Sequence, residues 1–101
     1  MIDPHVIKLG TEYLDHCAAT NEQATLVGMH WYIDGRNKTL PLLEEVNEAL
    51  AQRPSFHVKR ERGAVVFASA GSEPIVTAED MRLADKQYRK EFAAALRKLK
   101  T

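Results

Sequence analysis

A nucleophilic enzyme needs a serine or cysteine beside a base, and the candidates here are Cys17, which follows His16, and Ser69 or Ser72 in the run Ala68-Ser69-Ala70-Gly71-Ser72. No Gly-x-Ser-x-Gly elbow surrounds either serine, and adjacent residues of a helix point about 100° apart. His16 therefore does not face the Cys17 thiol, and the two read as a packed cysteine beside a solvated histidine. His5, Glu12 and His16 fall on roughly one side of a helix, with Glu12 and His16 at the i, i+4 spacing that could share an ion. His30 and His57 stand alone, so nothing completes a ligand shell and no metal is expected. Glycines 10, 28, 35, 63 and 71 form no cluster before a helix, which leaves a phosphate-cradling loop without support. Glu44, Glu45 and Glu48 lie beside an apolar stripe and read as a solvated face rather than as acid–base catalysts. The expectation is a chain with no catalytic residue and no cofactor, and so not an enzyme.

The densest chemistry is cationic. Arg53, His57, Lys59, Arg60 and Arg62 crowd potential phosphate donors into ten residues, offset only by Glu61. The chain is neutral overall, yet residues 1 to 50 carry three basic against eight acidic side chains, a net −5, and the remainder carries eleven against six, a net +5. Such an asymmetry can mark a surface for an anionic partner or let copies attract one another. The hairpin residues are thus the expected nucleic-acid-binding set. Glu44, Glu45 and Glu48 argue the other way, because acids on a helix facing a duplex repel phosphate. A protein partner is the alternative, in which the acidic helix and the basic hairpin both serve protein contacts.

The elements that must position these residues follow from local signals. Asp3-Pro4 is a helix start, an Asp cap followed by a proline that loses nothing at the first helical position. The spacing of Val6, Leu9, Tyr13, Leu14 and Cys17 predicts a helix from Pro4 to about Ala18, weakened by Gly10. Residues 24 to 34 support two periods. Thr20-Asn21-Glu22-Gln23 resembles a capping box and favours a helix from Asn21 to Ile33, burying Ala24, Val27 and Trp31. The alternation of Val27, Met29, Trp31 and Ile33 fits a strand instead, which would give a three-stranded sheet carrying three helices. Thr39 is placed to cap a helix from Leu40 that Arg53-Pro54 stops. Ser55 to Arg60 and Ala64 to Ala70 read as strands joined by a type I turn with a glycine bulge at Arg60-Glu61-Arg62-Gly63. Thr77-Ala78-Glu79-Asp80 is a capping-box variant, with Val76 and Met81 as its hydrophobic staple, that opens a long last helix.

The expected class is α+β, mainly α with a β-hairpin, in one domain over residues 1 to 101. Three helices followed by a basic hairpin resemble the element order of a winged-helix domain, in which the hairpin lies on the phosphate backbone. The resemblance rests on that order alone and implies a small regulatory DNA-binding module. The last helix, residues 77 to 101, then reads as a dimerisation arm. Met81, Tyr88, Phe92, Leu96 and Leu99 lie along its apolar face as the expected interface of a homodimer, since bulky apolar side chains are costly to leave in water. Met1-Ile2-Asp3-Pro4 lacks a signal-peptide pattern and no apolar run reaches the length of a membrane span, so a cytoplasmic chain without a membrane partner is expected. A lone Cys17 suits that reducing compartment.

Overall fold

A computed structural model describes residues 2–69 and 73–99. Helix α1 runs Pro4–Thr20 and begins as the sequence indicates, with the Asp3 carboxylate accepting the His5 N–H at 2.9 Å. It ends where Asn21 enters the left-handed region and the Glu22 N–H returns to the Cys17 carbonyl at 2.9 Å. Residues 20 to 23 are therefore spent closing α1 and do not open the next helix. Instead Ala24–Thr25 forms β1, and α2 runs Leu26–Asn37. Thr25 is its cap, its hydroxyl accepting the Gly28 N–H at 2.8 Å while its own N–H donates to the Tyr13 hydroxyl at 2.9 Å. The helical reading of Leu26 to Ile33 holds, but the expected stripe is rotated. Leu26, Met29, His30 and Ile33 face inward, and Val27 and Trp31 lie half-buried at the margin.

Helix α3 spans Leu43–Ala51, starting three residues later than Thr39 and Leu40 suggest. Glu45 sets that start, one carboxylate oxygen accepting the Leu42 N–H and the other the Asp3 N–H, both at 2.7 Å. Glu45 is thus buried, a strut between the starts of α1 and α3 rather than part of a solvated acidic face. Gly10 lets these helices meet, since a Cβ there would stand 2.9 Å from that of Ala49.

Strands β2, His57–Glu61, and β3, Ala64–Ala68, pair antiparallel from His57 opposite Ala68 to Glu61 opposite Ala64. The connection is the two residues Arg62-Gly63 at φ 51° and 80°, the geometry of a tight I′ turn that matches strand twist and not the bulged loop expected. The strand order is β1-β3-β2, so β3 lies in the centre with Val65, Val66 and Phe67 buried. The Ala70 end of the expected strand and Ser72 lie outside the described residues.

Helix α4 covers Ala78–Leu99. Its capping box forms in both directions, the Thr77 N–H to Asp80 at 2.9 Å and the Asp80 N–H to the Thr77 hydroxyl at 3.2 Å, and Val76 beside it is buried. Asn47 of α3 clamps both backbone groups of Val76, at 2.8 and 3.0 Å. Over the described residues the fold is α+β, four helices and a three-stranded antiparallel sheet around one apolar core.

Candidate functional site

The five hairpin donors do not gather on one surface. Arg53 forms a two-bonded pair with Asp15 of α1, at 2.7 and 2.8 Å. Lys59 pairs with Glu61 at 3.0 Å. Arg60 turns to Asp80 at 2.9 and 2.5 Å and to Glu73 at 2.6 Å. The Arg60 guanidinium holds the Asp80 carboxyl down to about 2 against the opposing effect of burial, and Arg53 likewise lowers Asp15. His57 is half-buried, with its Nδ1 unbonded among the described residues. Arg62 alone stands exposed at the turn with no ion pair among those residues. Exposed pairs contribute little stability, but each cancels a positive charge a polyanion would need.

The apolar face of α4 divides in two. Its first half docks on the chain itself: Met81 packs against the core, and Tyr88 is buried. The Tyr88 hydroxyl donates to the Asp34 carboxylate of α2, and its ring meets Trp31 edge-on with centroids 4.7 Å apart. Burial, and next the Asp34 carboxylate, push the Tyr88 hydroxyl up to about 12. The Trp31 indole N–H is satisfied by Glu91 at 2.9 Å. The second half stays uncovered: Phe92 is 41 % exposed, Leu96 43 % and Leu99 83 %. Phe92 leans on the same aromatic group, 5.9 Å from Tyr88 and 6.1 Å from Trp31, so it is held in place while presenting an open edge. Between Phe92, Leu96 and the segment 38–40 runs an open groove of about 520 Å³, rimmed by Lys38 and Arg89.

The remaining candidates stay apart. Cys17 is buried and its thiol is pushed up by that burial, while His16 is exposed. His5, Glu12 and His16 form no metal-ligating group, nor does any three of the His, Cys, Asp and Glu side chains among the described residues. Glu44 and Glu48 remain exposed on α3. Within the described residues no helix is long and apolar enough to cross a membrane. Sequence reasoning located the Phe92, Leu96 and Leu99 strip by its i, i+4, i+7 spacing. It missed the Trp31 platform because that contact joins two helices with no local signal between them. No family model, no curated protein and no solved structure matches the chain.

Proposed function

We propose that this chain is a non-enzymatic protein-interaction module of the cytoplasm, which docks an acidic amphipathic helix of a partner protein in the groove between α4 and residues 38–40. The observation that carries this is the strip Phe92, Leu96 and Leu99, left uncovered at the end of a helix whose Met81, Ala84 and Tyr88 are engaged with the rest of the chain. An apolar strip bordered by charge is the usual receiver of an amphipathic helix. The cations lining the groove are Lys38 and Arg89, the latter also bonded to Asp85 at 2.9 Å, while the lining acid Asp34 accepts the Tyr88 hydroxyl. A second copy laid on the same strip would bring the cations beside it, Lys38 and Arg89, to one interface with their counterparts. Like charge across an interface opposes binding and opposite charge favours it, so an acidic helix fits better than self-pairing.

The nucleic-acid reading draws its support from the order of the elements and from Arg62 at the hairpin tip. It is weakened by the pairing of Arg53, Lys59 and Arg60 with acids of the same chain and by the exposed Glu44 and Glu48.

The test is calorimetric titration of the chain with two leucine-rich helical peptides, one faced with glutamate and one with lysine. The glutamate peptide is expected to bind, more weakly as salt rises, and to lose binding in the double variant Phe92→Ser and Leu96→Ser. Equal binding of both peptides, binding of neither, or a stable dimer in sedimentation that covers the strip would overturn this reading. Salt-sensitive binding to random duplex DNA that survives the double variant would return the function to the hairpin.

A further inference from the structure

On the other side of α4 a second cleft of about 380 Å³ opens between that helix and the Arg62-Gly63 turn. Its wall is apolar, formed by Leu26, Val65 and Ala84 with Leu83 at the rim, and its volume falls within the roughly 300–1,000 Å³ of small-molecule sites. Three cations border it: Arg62 from the turn, and Lys86 and Lys90 from α4. None of the three pairs with an acid among the described residues, although Arg53, Lys59, Arg60, Arg82 and Arg89 all do. The acid in the cleft, Asp80, is already held by Arg60 and by the Thr77 N–H. The neighbouring Gln87 amide is taken up by Glu91.

Two of these placements oppose local structure. Arg62 occupies the first position of the turn at φ 51°, where glycine or asparagine is at ease and a long side chain is strained. Lys86 and Lys90 are neighbours on one helix face at i, i+4, a like-charged pair that weakens a helix. Cations held against local preference around one apolar hollow have the character of a binding site.

We infer that this cleft binds a small amphipathic anion, a single carboxylate or phosphate head on an apolar body, with Arg62, Lys86 and Lys90 around the head and Val65, Leu83 and Ala84 against the body. The inference is independent of the docking groove, which uses the opposite side of α4.

The experiment is an amide-resolved NMR titration of the full chain with decanoate, decyl phosphate, decanol and inorganic phosphate, each below its micelle concentration. Decanoate and decyl phosphate are expected to shift the amides of Val65, Leu83 and Ala84, with the tighter of the two identifying the head group. Decanol and inorganic phosphate are expected to bind about tenfold more weakly or less, since each lacks one half of the recognition. The triple variant Arg62→Asn, Lys86→Gln and Lys90→Gln should lose about tenfold for decanoate. Asparagine tolerates the turn conformation and the glutamines remove a repulsion, so thermal unfolding of the triple variant should match or exceed that of the wild type. Decanol binding as tightly as decanoate, an unchanged affinity in the folded triple variant, or shifts centred on Phe92 and Leu96 would each overturn the inference.

Discussion

Arg60 on β2 and Asp80 in the first turn of α4 meet through two parallel hydrogen bonds, Nε to Oδ1 at 2.9 Å and Nη2 to Oδ2 at 2.5 Å, with the Asp80 side chain 6 % exposed. The same carboxylate completes the α4 capping box through the Thr77 N–H. Paired and hydrogen-bonded charges of this kind are what a nearly buried carboxylate requires. The central cation of the hairpin is thereby a latch that fixes the hairpin to the last helix, which is why it is not offered to a polyanion.

The latch makes stability depend on pH. Asp80 titrates near 2 in the folded chain against 3.8 as its ordinary value. Its stabilising contribution, about 2 kcal/mol, is therefore complete above about pH 4 and is lost as pH falls from there toward 2. Urea unfolding at a series of acid pH values should show this decline in the wild type and a much flatter profile in Asp80→Asn, which should be less stable at pH 7. An equally steep decline in the variant would assign the acid sensitivity to other carboxylates.

Tyr88 supplies the opposite sign. Its hydroxyl is stabilised in the protonated form, at about 12 against 10.0, so its contribution is present below pH 10 and fades between pH 10 and 12. Tyr88→Phe keeps the ring against Trp31 and removes the bond to Asp34, at an expected cost of about 1 kcal/mol. Ultraviolet titration should show one fewer late-ionising tyrosine in the variant, which keeps Tyr13, whose hydroxyl burial also pushes up.

Two glycines of α2 should respond in opposite ways to alanine. At Gly28 a Cβ would stand 2.2 Å from the Tyr13 hydroxyl, which holds the Thr25 N–H. Gly28→Ala should cost about 1–3 kcal/mol by displacing Tyr13. At Gly35 a Cβ would meet nothing within 4 Å, so Gly35→Ala should stabilise by about 0.5–1 kcal/mol. Thermal unfolding of the two variants measures both.

What the sequence reveals and conceals follows the range of the interaction involved. The Asp3-Pro4 start and the Thr77–Asp80 box are legible because donor and acceptor lie within three residues of each other. The two-residue strand Ala24–Thr25 is not, since it exists only by pairing with Val66 and Phe67. The start of α3 depends on Glu45 reaching Asp3, far away in sequence. The same holds for the basic cluster: five donors in ten residues read as one patch, while Asp15, Glu73 and Asp80 arrive from elsewhere to neutralise two of its arginines. Tyr88 and Phe92 share one helical stripe, but Trp31 and Asp34 of α2 take up Tyr88 and leave Phe92 open.

The central claim is that α4 presents an apolar strip whose cationic border selects an acidic helix. It is tested most directly by reversing that border. In the double variant Lys38→Glu and Arg89→Glu the strip Phe92, Leu96 and Leu99 is untouched, and the lone Trp31 beside Phe92 reports occupancy through its fluorescence. Titrating wild type and variant with the glutamate-faced and lysine-faced peptides should show the preference exchanged, the wild type taking the acidic helix and the variant the basic one. An unchanged preference in a variant that still folds, or a Trp31 signal that responds to neither peptide in the wild type, would contradict it.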